Sequence, residues 1–320
     1  MLVRNFGDFL NIYNKDIKEK HMDRYIKYFN IHQAYEDYIY SQSALFPNVS
    51  YCADTGHVHY NPTQPVRPET RVVAYFNVTY QNSEGTHILY NANNVSEIEI
   101  DGVVQPSVVS YYKFRTLGEH VVKYTLTDPT QISNTMMSYI DRHLYKVTIP
   151  DGVTTIGDQA FNGCYAIKQV IMPNTVTSIG YMAFQSTNLQ DGVQWSDHLT
   201  TIGRQAFAGT SLGKNQNGVV ELPNSVVTIE ERAFQRLDYM TQMYVGENVT
   251  SIGDNAFGTN SGMINFHITA TNPPTIGNEI FYNHGNNFHI VVYSWSDVPT
   301  YKAAWPEYAE YIRGRGDSPL

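Results

Sequence analysis

Apolar residues in the C-terminal half of the chain recur with a period far longer than any helix or strand repeat. The block Ile-Gly-x-x-Ala-Phe runs from Ile156 to Phe161, Ile179 to Phe184, Ile202 to Phe207, Ile229 to Phe234, Ile252 to Phe257 and Ile276 to Phe281, with Glu230 and Ile280 as the departures. The offsets between copies are 23, 23, 27, 23 and 24 residues, so one supersecondary unit repeats. A degenerate copy, Ile132 to Met137, opens the array. Nine residues after Phe161, Phe184, Phe234, Phe257 and Phe281, an apolar-x-apolar triplet begins at Val170, Val193, Met243, Phe266 and Ile290. After Phe207 the triplet at Val220 comes 13 residues on, and this surplus of four equals the surplus in the 27-residue repeat. The extra residues therefore predict a loop bulge around Gly213, Lys214, Asn215 and Gln216.

Alternation over three or four residues, stopped by Pro150, Pro173 or Pro223, predicts a short strand in each repeat. Stacked repeat on repeat, these strands form a parallel sheet along a solenoid. The predicted inward pairs are Val147/Ile149, Val170/Met172, Val193/Trp195, Val220/Leu222, Met243/Val245 and Phe266/Ile268. Between them, Thr148, Ile171, Gln194, Glu221, Tyr244, His267 and Val291 should form a ladder on the outer face, which makes them the candidate binding residues. A turn of helix is expected around each Ala-Phe, entered through Gly157, Gly180, Gly203 and Gly253.

The residues ahead of the array carry other patterns. Alternating runs at Val72 to Tyr80, His87 to Tyr90, Val95 to Ile100, Val108 to Phe114 and His120 to Leu126, separated by turn residues, predict a small immunoglobulin-like β-sandwich over 65–130. In 1–64, helical spacing links Ile17, His21, Tyr25, Tyr28 and His32, and a hairpin is expected to turn at Asp54, Thr55 and Gly56. Such an aromatic-rich segment, too short for its own core, reads as an anchor or oligomerisation element. The fold class is thus mainly β with short helices: anchor 1–64, sandwich 65–130, solenoid 131–295, and a C-terminal cap with a flexible tail over 296–320.

Composition narrows the chemistry. With 21 Lys and Arg against 30 Asp and Glu, the net charge of −9 leaves no basic stripe for nucleic acid. No apolar run approaches the roughly 18 to 20 residues of a membrane helix, so no membrane insertion is expected. Asp8 and Asn11 interrupt the N-terminus where a secretory signal needs an apolar stretch. The 25 tyrosines suit a surface that binds other surfaces. Nucleophile-elbow, P-loop, zinc-protease and dinucleotide signatures are missing, so neither enzymatic activity nor a cofactor is expected. Cys52 and Cys164 read as free thiols, and Cys52, His57 and His59 offer too few ligands in fixed geometry for a metal site. Residues 314 to 319, Gly-Arg-Gly-Asp-Ser-Pro, resemble the integrin-binding loop of fibronectin, with Arg315, Gly316 and Asp317 as cell-attachment candidates.

The repeat as a whole resembles the BspA-type leucine-rich repeat found in bacterial surface and adhesion proteins. The segment Val298 to Ile312 is similar to the closing piece of such arrays, and the resemblance places Trp305 and Tyr308 over the last repeat. The order of anchor, Ig-like module and repeats resembles virion proteins of phages of gut Bacteroidetes. That likeness implies a non-enzymatic head or tail fibre or decoration protein, made in the host cytoplasm. It would dock on capsid or tail proteins through its N-terminal segment, as a homotrimer or other homo-oligomer, and expose the solenoid to a host surface protein or glycan. The alternatives are a bacterial cell-surface adhesin and a glycan-binding accessory module.

Overall fold

The computed structural model describes residues 49–52, 57–60, 71–80, 85–140 and 142–316, the first two stretches by backbone alone. The chain forms two compact units, Met1–Pro68 and Glu69–Leu320. In the first, Val49–Cys52 and His57–Tyr60 pair as the expected antiparallel hairpin, with Cys52 opposite His57 and Ser50 opposite His59. The helices read between Ile17 and Ile39, and the side chains of Cys52, His57 and His59, lie outside the described residues.

The second unit contains the solenoid. The dipeptide that ends on the Ile of each block, Thr-Ile or Ser-Ile except for Gln131–Ile132, forms a two-residue strand, and seven of these, from Gln131–Ile132 to Thr275–Ile276, make an unbroken parallel sheet. The triplets form further parallel ladders, and the predicted inward pairs are buried, except that Val193 and Trp195 are only half-buried. Between the sheets, Phe161, Phe184, Phe207, Phe234, Phe257 and Phe281 stack ring on ring with centroids 5.1 to 5.9 Å apart. A leucine-sized core residue recurs in every coil, so one apolar column runs the length of the array.

The helical turns expected at each Ala-Phe are absent: these segments are turns, and among the described residues the single α-helix is Val298–Ala304. Two residues per repeat adopt left-handed backbone, three after the Ile (Gln159, Met182, Gln205, Arg232, Asn255, Glu279) and two after the Phe (Gly163, Ser186, Gly209, Arg236, Thr259, Asn283). Alternating handedness turns every second amide along the stack. Gln159, Phe161 and Gly163 donate to the carbonyls of Tyr181, Ala183 and Gln185 in the next coil at 2.7, 2.8 and 2.9 Å. A helix would spend those amides within its own turn. The glycines after each Ile also serve another purpose than freedom of φ: a Cβ on Gly203 would lie 2.6 Å from the carbonyl oxygen of Ile179. Each marks a close approach of neighbouring coils.

The strands read as a sandwich do not close into one. Arg71–Val78 pairs antiparallel with Gly118–Leu126 on one side and with Leu144–Thr148, the first triplet strand of the array, on the other. The resulting seven-stranded sheet runs from Val193–Gln194 through Arg71–Val78 to Val103–Val104, while the facing sheet is only Thr86–His87 with Tyr111–Tyr112. These residues therefore cap the solenoid's open edge and share its core, with Tyr124 buried and its hydroxyl donating to the carbonyl of Ile88 at 2.6 Å. At the other end, Tyr301 and Trp305 are buried and donate to the carbonyls of Ala270 and Pro274 at 2.6 and 3.0 Å. Tyr308 meets Phe281 edge-on at 5.3 Å, so Trp305 and Tyr308 do cover the last repeat.

Candidate functional site

The outer face of the triplet strands is positioned by simple alternation. In Gln242–Val245, Met243 and Val245 are buried, which turns Gln242 and Tyr244 outward; Asn265–Ile268 repeats this with Phe266 and Ile268 inside. Parallel register then aligns the outward residues. Thr148, Ile171 and Gln194 are successive partners in the N-terminal sheet. Glu221, Tyr244, His267 and Val291 are successive partners in a second, five-stranded sheet. The ladder predicted from sequence thus exists in two pieces, because Gln194 and Glu221 belong to different sheets. The break coincides with the insertion. Residues from Gly213 to Gly218 fold into a closed turn, with both glycines left-handed and the Gly218 amide donating to the Gly213 carbonyl at 2.8 Å. A cavity of about 380 Å³ between Trp195 and Glu221 occupies the gap.

The N-terminal piece continues onto the cap, since Thr148 pairs with Val73, Val73 with Lys123 and Lys123 with Glu99. Its far end is internally neutralised. Glu99 accepts from Arg71 at 2.6 Å and lies 3.6 Å from Lys123. Desolvation pulls its carboxyl upward, but the bond to Arg71 and the two positive charges outweigh it and hold the group below its ordinary range.

The C-terminal piece carries the more distinctive chemistry. Tyr244 and His267 lie face to face, rings 4.1 Å apart and 2° from parallel, and the Tyr244 hydroxyl donates to Gln242 Oε1 at 3.1 Å. The ladder gains a member that sequence reading left in a flexible tail. Ile312–Gly314 is a fifth strand, parallel to His289–Val292, and it sets Arg313 beside Val291. A signal for it lies in the sequence: Ile312 follows Ile290 by 22 residues, one short of the commonest repeat length. Arg313 Nη2 donates to Asn265 Oδ1 at 3.0 Å. Asn265, His267, Val291, Trp295, Arg313 and Arg315 surround a cavity of about 440 Å³.

Electrostatics set this basin apart. Neither Arg313 nor Arg315 has a carboxylate partner among the described residues. Burial, then the charges of Arg315 and Arg313, lower the pKa of His267 and favour its neutral form. Two buried nitrogens in its wall, His267 Nε2 and Trp295 Nε1, have no hydrogen-bond partner. Of the cell-attachment candidates, Arg315 and Gly316 are exposed and the Arg315 amide donates to the Val292 carbonyl at 3.1 Å, which ties this part of the tail to the sheet. Asp317 lies outside the described residues. Cys164 is a free, buried thiol that donates to the Met137 carbonyl, and burial raises its pKa to about 12, so it is a core group.

A family model described as "BspA type Leucine rich repeat region" matches the sequence in 6 copies over residues 130–217 and 213–296, more than half of the chain. Among solved structures, the chain is similar to a leucine-rich repeat protein of T. pallidum, at 19% identity over 52% of this chain and 64% of that one, with a TM-score of 0.32. A leucine rich cell surface protein from Faecalibacterium prausnitzii A2-165 is 20% identical over 56% of this chain and 64% of its own, with a TM-score of 0.27. A leucine-rich repeat protein from Bacteroides ovatus is 17% identical over 67% and 71%, with a TM-score of 0.29. The chain spans less than two thirds of the first two structures. No curated protein matches the sequence.

Proposed function

Because the chain belongs to the BspA-type leucine-rich repeat family, we propose that it is a non-enzymatic recognition protein of the bacterial surface, which binds a partner macromolecule with the outer face of its triplet strands. The observation that carries this reading is the in-register row Glu221, Tyr244, His267, Val291 and Arg313, which sets aromatic and cationic groups on either side of the buried Val291 on a rigid parallel sheet. Tyr and Arg on a preorganised surface form binding hot spots because they bring large contact area at low entropic cost. The surface-adhesin alternative is thereby preferred to the virion reading. The latter drew on the anchor 1–64, most of which lies outside the described residues.

The test is binding of the fluorescently labelled chain to cultured epithelial cells and to mucin-coated beads. Tyr244→Ala should weaken binding by about 1–2 kcal/mol, five- to thirtyfold. Thr201→Ala, on the two-residue-strand sheet, should leave it unchanged. Equal loss from both substitutions, or none from Tyr244→Ala, would remove the outer face as the recognition surface.

A further inference from the structure

We propose that the basin at the C-terminal end of the outer face binds a carboxylate-bearing sugar residue, of the uronic acid class; this rests on the reading of that face as a recognition surface. Two guanidinium groups without carboxylate partners among the described residues converge on one cavity, in a chain whose net charge is −9. Local positive charge kept against that background calls for an anion. Arg313 is held in place by Asn265 at 3.0 Å, so its remaining donors are already oriented to grip a carboxylate. Arg315 is exposed at the rim and can close on the same group.

A sugar suits the rest of the cavity better than an acidic peptide does. About 440 Å³ lies in the range of small-molecule sites, and suits a single ring more than a run of extended chain. Trp295 supplies an indole, and the Tyr244–His267 stack adjoins it, so the C–H face of a pyranose has aromatic surface to cover. The nitrogens His267 Nε2 and Trp295 Nε1 are buried and unpartnered, and a ring rich in hydroxyls, which both donate and accept, suits a wall with such unspent hydrogen-bonding capacity. The fold keeps the indole close by omitting a side chain: a Cβ on Gly314 would lie 2.5 Å from Trp295 Cγ.

The test uses the full chain and its three tryptophans. In a ¹⁵N-labelled sample, the three indole N–H resonances are followed while D-glucuronic acid is added, with Trp295→Phe identifying the basin's signal. Glucuronate is expected to move the Trp295 resonance in a saturable way. The Trp305 resonance, bonded to the Pro274 carbonyl, should stay still. D-Glucose and sodium acetate should each bind at least about tenfold more weakly, since each lacks half of the recognition. Arg315→Gln should weaken glucuronate at least about fivefold with an unchanged melting temperature, and Arg313→Gln by more. Equal binding of acetate would reduce the basin to a simple anion site, and equal or tighter binding of an Asp-Glu dipeptide would make it a peptide site. Either result overturns the proposal, as does indifference to both arginine substitutions. If glucuronate fails while Tyr244→Ala still weakens cell binding, the recognition face stands and only its ligand class falls.

Discussion

At the scale of the residue, the repeat depends on backbone conformations that most side chains resist. The position two after each Phe is left-handed in every coil, and evolution has filled it with Gly163, Ser186, Gly209, Arg236, Thr259 and Asn283. An L-residue there costs about 1–2 kcal/mol, least for Gly and Asn and most for β-branched chains. Thr259, with φ of 60°, is therefore the most strained of the set, and its left-handed conformation is held by the backbone amide donating to the Tyr282 carbonyl in the next coil. Asn283 shows the same place filled by a residue that tolerates it. Thr259→Asn should keep the inter-coil bond and relieve the strain, stabilising the chain by about 0.5–1 kcal/mol. A urea unfolding midpoint that stays put or falls would mean that the threonine methyl packs usefully enough to offset its backbone.

At the scale of the element, most coils are clamped to the one before by a glycine, Glu230 being the exception. A Cβ on Gly203 would come within 2.6 Å of the Ile179 carbonyl oxygen and 2.8 Å of Gly180 C, and backbone atoms cannot swing aside as a flexible side chain can. Gly203→Ala is expected to cost about 1–3 kcal/mol as overpacking, measured by thermal or urea unfolding. A cost below about 0.5 kcal/mol would show that coils can separate locally without loss. This also explains what the sequence made legible. Buried repeats such as Ile202, Ala206 and Phe207 announce themselves by phase, because the core accepts little variation. Glycine announces itself too, but its reason does not: the same letter serves close approach at Gly203 and left-handed backbone at Gly209. The expected helix at each Ala-Phe failed for a related cause, since amides committed to the next coil leave no mark in hydrophobic periodicity. Partner choice was equally silent. Alternation in Arg71–Val78 predicted a strand, but not that its neighbour would be Leu144–Thr148. The outer ladder was readable one strand at a time, whereas the basin was not, because Trp295, Arg313 and Arg315 come together only after the tail adds a strand.

At the scale of the molecule, four longitudinal systems hold the solenoid together, two sets of strand ladders, the phenylalanine stack and the turn amides that bond coil to coil, and one of them is broken. The sheet of two-residue strands crosses the 27-residue repeat intact, Thr201–Ile202 pairing with Thr228–Ile229, and the Phe207–Phe234 stack crosses it at 5.4 Å. The triplet sheets do not: one ends at Val193–Gln194 and the other begins at Val219–Glu221. In a solenoid, stability is close to a sum of neighbour interfaces, so an interface with a missing ladder is the weakest in the array and the natural site of local opening. The half-buried Val193 and Trp195 at this junction show the same deficit in packing. Hydrogen–deuterium exchange should therefore be faster at the amides of 193–196 and 219–221 than at those of Gln169–Ile171 or Asn265–Ile268. Removing the four residues Lys214 to Asn217 would restore the 23-residue period. If the insertion is what interrupts the ladder, the shortened chain should slow exchange on both sides of the junction at once. Uniform protection along the native array, or a deletion that speeds exchange, would mean that the closed turn between Gly213 and Gly218 itself carries the neighbour contact the missing ladder would have made.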